Sequence, residues 1–280
     1  MDTAVEELVD LERYPLFDLD AALAGAVIED ARAQLADVGF VELEGFVHPT
    51  GVAQLVADAE QLAGRAHHSV GVGTAYLEVP PADLPDDHPR RWKGRFGVQV
   101  VPYDVIPYAS PLRRLYESDQ VLDLIARIVG EESLYRYGDP FGALNLSVMG
   151  DGDELQWHFD QTDFVVSLAI QSADSGGDFE VAPFVRGDAH HAYDDVASIL
   201  NGTANGNKPV TTIAMNPGTL LVFMGRNSVH RVSPISGTRL RHVGLLAYDT
   251  KEASTGSDLL RQSRYGRTVA FVEPPIEWPI

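Results

Sequence analysis

The chain has 280 residues, 45% of them hydrophobic, and no cysteine. Disulfides, zinc–thiolate sites, iron–sulfur clusters and cysteine nucleophiles are therefore excluded, and any metal must rest on His, Asp or Glu, donors suited to harder first-row ions. Twenty-one Lys and Arg face forty-one Asp and Glu, a formal net charge of −20 that repels phosphate backbones and anionic membranes, so a small-molecule partner is expected rather than nucleic acid or a membrane. Residues 1–20 alternate acidic and apolar side chains without a basic stretch leading into an apolar core, which does not read as a signal peptide. No apolar run approaches the roughly 18 residues of a membrane span, so a cytoplasmic protein is expected. Oligomeric state is not legible.

Residues 18–37 read as an amphipathic helix, with Asp18 or Asp20 as cap, Leu23, Val27, Ala31 and Leu35 at helical spacing, and Gly39 as the stop. A short strand follows over 40–46 and a second helix over 49–63. Residues 65–95 are rich in Pro, Asp, His and Arg with little periodicity. Such a segment reads as a lid over a site (66–95) or as a solvated excursion. Residues 111–129 form a third helix, ended by Gly130. From Ser133 onward short β-type runs succeed one another, at 134–137, 143–149, 156–159, 164–171, 178–181, 210–214, 219–223, 229–232 and 242–248. Gly150-Asp151-Gly152, Gly176-Gly177, Asn216-Pro217-Gly218 and Ser236-Gly237 punctuate them, and one helical insertion covers about 188–200. The expected fold is α+β: a single domain over 1–280 with a mainly helical part (1–132) packed on a jelly-roll, or double-stranded β-helix, core (133–250), followed by a tail (251–280).

On a strand, residues two apart share a face, so Trp157-His158-Phe159-Asp160 presents an imidazole and a carboxylate side by side. Alone this pair is weak. His230 opens another β run and completes a set of two histidines and one carboxylate, which leaves coordination positions open for a bidentate ligand and dioxygen. Beyond His230 the turn Pro234-Ile235-Ser236-Gly237 leads back to Arg239 and Arg241. An arginine facing a metal inside a barrel needs an anion, and its fork matches a carboxylate such as the far end of 2-oxoglutarate. Arg239 is the expected anchor and Arg241 the alternative.

The string His158-x-Asp160, then His230-Arg231-Val232-Ser233-Pro234, then Arg239, resembles the iron(II)/2-oxoglutarate oxygenase superfamily. The His-to-Arg spacing looks like that of the oxygen-sensing prolyl hydroxylases. The segments from Asp139 to Asn145, from Asp153 to Asp160, from Gly176 to Glu180 and from Arg226 to Val232 are similar to the free amino-acid halogenases and their hydroxylase relatives, over about 136–250 and less distinctly before it. The resemblance implies Fe(II), 2-oxoglutarate and O2, and oxidation of a C–H bond in a small polar substrate, an amino acid or derivative. In the halogenases of that family Gly or Ala replaces the carboxylate ligand and chloride takes its place. Asp160 therefore implies hydroxylation, or desaturation or cyclisation at the same iron. A metal- or ligand-binding protein of cupin type without turnover is the alternative from another class.

Further candidates carry two readings each. Asn145 lies on a strand before the metal pair, for co-substrate or substrate, or satisfied by a neighbour. Glu180 orients a substrate amine or is a strand-end acid. Trp157 packs or lines the substrate site. Arg90, Arg91 and Arg95 stand out in an acidic chain as partners for a substrate carboxylate, or decorate a solvated loop. His67-His68 and His190-His191 lack a spaced third ligand and read as structural.

Overall fold

The computed structural model describes residues 3–187, 190–203 and 209–274. Its helices are α1 (Thr3–Leu8), α2 (Ala22–Val38), α3 (Pro49–Ala63), α4 (Pro111–Tyr116), α5 (Asp119–Val129), α6 (Tyr193–Leu200) and α7 (Asp258–Tyr265). Its strands are β1 (Phe40–Leu43), β2 (His67–Thr74), β3 (Lys93–Pro102), β4 (Tyr135–Arg136), β5 (Leu144–Met149), β6 (Glu154–His158), β7 (Val165–Gln171) and β8 (Phe179–Ala182). They continue with β9 (Arg186–Gly187), β10 (His190–His191), β11 (Thr211–Ile213), β12 (Leu220–Phe223), β13 (Val229–Val232), β14 (Arg241–Leu246) and β15 (Tyr248–Asp249). No helix among the described residues is long and apolar enough to cross a membrane.

Eleven strands pair into one curled, antiparallel sheet in the order β1-β12-β7-β14-β5-β3-β6-β13-β8-β11, with β2 on the edge of β3. The bend falls on β3, whose residues Gln99–Pro102 pair with β5 and whose Phe96 and Gly97 pair with β6. Strands that switch sheets at a bend are how two facing sheets share one closed core. The period-two alternation sorts the side chains. Leu144, Leu146 and Val148 of β5, Val166, Leu168 and Ile170 of β7, and Leu220 and Val222 of β12 pack outward against α2 to α5. Met149, Val98, Val100, Phe179, Val181, Leu221 and Phe223 point the other way and form the inner core. A third cluster, with Trp157, Phe159, Val229 and α6 residues Val196, Ile199 and Leu200, covers the outside of the second sheet.

Four expectations are corrected. The stretch read as an irregular lid holds a regular hairpin, His67 paired with Val100 through Thr74 with Lys93, and 75–92 between the strands is loop apart from one 3-10 turn at Pro89–Arg91. Its alternation is hidden because Gly71 and Gly73 occupy the face beneath the Phe96 ring, while Val70 and Val72 are exposed. The single helix expected over 111–129 is broken at Glu117-Ser118, where Arg136 donates to the carbonyls of Tyr116 and Glu117. The first long helix begins at Ala22, later than either aspartate cap. The insertion helix begins at Tyr193, and residues 188–189 of the expected span lie outside the described residues.

Helices α1 and α7 were not anticipated. The second matters, because it holds the C-terminal segment against β2 and β3. Asp139, 2% exposed, accepts hydrogen bonds from the backbone N–H groups of Phe141, Gly142 and Gly256 and from Nε and Nη2 of Arg261. Burial pushes this carboxyl upward, but those donors outweigh it and hold it below the usual carboxylate range. A depressed carboxyl contributes stability that is complete above its unfolded pKa and is lost as the pH falls through its folded pKa. Asp139→Ala should therefore destabilise the protein by about 3 kcal/mol at neutral pH in chemical denaturation. That difference should shrink as the pH is lowered below about 4.

Candidate active site

The site starts from one cross-strand pair. His158 at the end of β6 and His230 in β13 are direct antiparallel partners, and their rings lie 4.3 Å apart. The register shifts between His230 and Val232, so Leu155 and His158 both meet β13 with an extra residue between them. A bulge of this kind re-aims a side chain next to a site. Here it lets Trp157 pack outward while His158 faces the other histidine.

Both imidazoles are oriented the same way. His158 Nδ1 is 2.7 Å from the Gln156 carbonyl and His230 Nδ1 is 2.9 Å from the Ser228 carbonyl. An Nδ1–H donated to a carbonyl leaves Nε2 as a lone pair for a metal and fixes the ring. Asp160, just past the strand, brings Oδ2 to 3.1 Å from His230 Nε2 and Oδ1 to 3.9 Å from His158 Nε2. One donor atom from each of the three lies within 4.8 Å of the others. Adjacent donors about 2.1 Å from a common ion stand about 3 Å apart, so the set fits one metal and leaves its other side open.

The electrostatics agree. Burial, then the nearby His230, pushes His158 down to about 4, which keeps its imidazole neutral at physiological pH. Burial raises Asp160, but the facing His230 and His158, with Arg264 also contributing, outweigh it and hold the carboxyl at about 2. A neutral imidazole and an ionised carboxylate are the states that ligate a divalent cation.

Neighbours missing from the sequence reading complete the cradle. Phe179 and Phe223 pack their rings on His230 at 5.5 and 4.9 Å. The Asp160 N–H donates to the Gly225 carbonyl, and Arg186 lies over the Phe159 ring while its Nε donates to the Arg226 carbonyl. Gly225 has a specific reason to be glycine: a Cβ there would stand 2.6 Å from Asp160 Oδ2. Its only signal in the sequence is a glycine between a buried strand and the distal histidine.

The structure separates the two candidate anchors. Arg239 precedes β14, is more than half exposed, donates from Nη2 to the Ala173 carbonyl and faces Asp174 at 3.7 Å. It is not on the inner face, contrary to expectation. The turn brings the backbone N–H groups of Thr238 and Arg239 onto Asp174, so Arg239 is used up at the surface before the strand begins. Arg241 opens β14 and is 6% exposed, beside Met149, with its Nη1 3.9 Å from Met149 Sδ, and against Gly177. It lines a cavity with Gln171, Ala173, Asp178 and Val243. Burial drives its pKa down to about 10, and the one acid acting on it is Asp178.

The remaining candidates are brought to other duties. Asn145 is buried with both ends engaged, Nδ2 donating to the Phe141 and Leu144 carbonyls and Oδ1 accepting from the Tyr265 hydroxyl. Its expected role toward co-substrate gives way to a structural one. Glu180 is ion-paired with Arg231 at 2.7 Å on the outer face, where Arg231 also lies over the Trp157 ring. Arg90 pairs with Glu78, Arg91 donates to the Pro81 and Ala82 carbonyls, and Arg95 binds Glu154 and the Gly152 carbonyl. None of these side chains joins the metal cluster.

The model of the Halogenase D family matches residues 23–262, most of the chain. The chain belongs to the Halogenase D family. No curated protein sequence matches the chain significantly. Among solved structures, the epimerase SnoN in complex with Fe3+, alpha ketoglutarate and nogalamycin RO is similar at a TM-score of 0.55 and 16% identity, over 80% of this chain and 84% of that one. A prolyl hydroxylase from Trichoplax adhaerens, bound to a hypoxia inducible factor peptide, follows at 0.53 and 16%, over 80% and 90%. A 2OG-Fe(II) oxygenase family oxidoreductase from Burkholderia pseudomallei reaches 0.50 and 16%, over 81% and 92%. At these identities the likeness establishes the fold, which is the jelly roll of the iron(II)/2-oxoglutarate oxygenases. Within the Halogenase D family this chain carries a carboxylate, Asp160, beside its two histidines.

Because Gly225 leaves room only for hydrogen beside Asp160, Gly225→Ala should displace the carboxylate without unfolding the protein. Metal affinity, read by calorimetric titration with Mn(II), should fall about 10- to 100-fold, with an unchanged circular dichroism spectrum.

Proposed function

We propose that the protein is an iron(II)/2-oxoglutarate-dependent dioxygenase that hydroxylates a C–H bond of a small polar substrate, an amino acid or a derivative of one. The observation that carries this reading is the pairing of an open two-histidine, one-carboxylate cluster with a buried arginine that has no carboxylate partner among the described residues. His158, Asp160 and His230 would hold the iron. Arg241, rather than Arg239, would hold the far carboxylate of 2-oxoglutarate, since a desolvated guanidinium is stabilised by a bidentate anion.

Iron(II) with 2-oxoglutarate and dioxygen supplies an oxidant able to attack an unactivated C–H bond, with succinate and carbon dioxide as co-products. The chain's part is positional. The carbonyls of Gln156 and Ser228 hold both imidazoles in one tautomer, and Phe179 and Phe223 wall the metal side with apolar surface that excludes water. Asp160 selects the outcome. An ionised carboxylate on the third protein position leaves none for a halide, so oxygen rather than chlorine is transferred. The cradle supports this, because Gly225 is shaped to the carboxylate.

Two experiments test the reading. Arg241→Gln should weaken 2-oxoglutarate binding to the iron-loaded protein about 10- to 100-fold, while Arg239→Gln should leave it within a few-fold. Equal losses, or a loss at Arg239 alone, would reverse the assignment. Turnover with an amino-acid panel in chloride-containing buffer should give products heavier by one oxygen atom. A chlorinated product from the unmodified chain would sink the hydroxylase assignment.

A further inference from the structure

Asp160 lies past the end of β6, outside the register that sets the two histidines opposite each other. Its place depends on two turns instead. Its N–H donates to the Gly225 carbonyl at 3.1 Å, and the Phe159 N–H before it donates to the Ala75 carbonyl at 2.8 Å. Arg186 touches both turns. Its backbone N–H donates to the Asn227 carbonyl at 3.2 Å and its Nε to the Arg226 carbonyl at 2.7 Å, so this residue is bound twice to the turn that presents Gly225. Its guanidinium lies 4.3 Å from the Phe159 ring, with Nη2 3.5 Å from the Asp160 carbonyl. Tyr76 completes the stack, its ring 4.9 Å from that of Phe159 and 5.5 Å from the guanidinium. The chain accepts strain to bring Arg186 here. Phe184, two residues earlier, takes φ 52, a left-handed conformation that bulky side chains rarely adopt.

The contacts call for arginine in particular. A planar fork can donate at its edge to a carbonyl while its face covers an aromatic ring, whereas a lysine ammonium is a point charge with no plane to present. We propose that Arg186 is a positioning residue of the metal site: it clamps the Asp160 turn to the Gly225 turn and so sets where the carboxylate stands relative to the two histidines. The inference rests on the reading of His158, Asp160 and His230 as an iron site. It gives the ligands separate supports. Strand register and the carbonyls of Gln156 and Ser228 place the imidazoles, and a side chain from β9 places the carboxylate. Partners outside the ligand set that orient its members govern metal affinity.

The test is titration of the full chain with Mn(II), followed by calorimetry and by the electron paramagnetic resonance of the bound ion. Arg186→Gln should bind Mn(II) about 10-fold more weakly and with an altered resonance spectrum, because the carboxylate is no longer held in place. Arg186→Lys should fall between Arg186→Gln and the wild type. The matched control is Arg231→Gln, on the outer face of β13. Arg231 also joins a donor contact, to Glu180, with an aromatic ring, that of Trp157, and its side chain contacts neither turn among the described residues. Its loss should lower stability yet leave Mn(II) affinity and spectrum at their wild-type values. Wild-type affinity in Arg186→Gln, or an equal loss in Arg231→Gln, overturns the proposal. If Arg186→Gln does not fold, Arg186→Lys decides alone: weakened binding supports the proposal and wild-type binding overturns it. A wild-type protein that binds no Mn(II) would overturn the iron-site reading itself, a different failure.

Discussion

Everything in the site depends on β6 and β13 lying antiparallel with His158 opposite His230. Two imidazoles held 4.3 Å apart and tilted at 58° are of no use to stability; their polar edges would be better in water. They are kept there because the other face of the same two strands is covered by apolar packing. Trp157, Phe159 and Val229 bury themselves under α6 residues, so the inward-pointing positions follow from the pleat. The bulge before His158 completes the arrangement. Without the extra residue, Leu155 and His158 could not both face β13. The apolar outer cover and the polar inner cluster are two consequences of one register.

The second constraint is electrostatic. The chain carries a large negative excess, yet its interior site requires that a cation and anionic small molecules meet. The acids are kept largely at the surface or neutralised in place: Asp139 by Arg261, Asp104 by Arg267, Glu180 by Arg231. Among the described residues, Asp160 alone presents an ionised carboxylate to the metal cluster, and Arg241 alone of the buried arginines lines a cavity without an ion pair. Local pairing thus separates the solubilising charge of the surface from the few charges left for chemistry.

The metal ligands were legible because they obey short-range rules. A His-x-Asp pair at a strand end and a histidine opening a later strand need only alternation and turn signals to be read together. The choice between Arg239 and Arg241 was not legible, since it depends on how many residues the turn consumes. That number is set by Gly237 at φ 119 and by Asp174 capping Thr238 and Arg239, a contact from a distant segment. Hairpin β2–β3 was hidden by its glycines, which erase the apolar half of the alternation so that Phe96 can lie on them. Helix α7 was hidden for the opposite reason. Its sequence is mostly polar, and it is held by Asp139 and by one buried tyrosine rather than by an apolar stripe. Asn145 lies on a strand, as expected, but its partner Tyr265 lies in a tail that strand periodicity does not reach.

Family membership and chemical outcome are decided at different scales in this protein. The match to the Halogenase D family covers residues 23–262, the stretch that holds the large sheet and both histidines. The proposed outcome hangs on one side chain and the glycine beside it. A carboxylate at position 160 needs the space that Gly225 leaves, an N–H donated to the Gly225 carbonyl to hold its backbone, and a stacked Arg186 to hold the preceding phenylalanine. Of these neighbours, the glycine is the one whose shape answers to the carboxylate itself, since the backbone hydrogen bond and the Arg186 contact would form with any residue at 160. That space at Gly225 supports the proposal that the surroundings of position 160 are built around a carboxylate ligand.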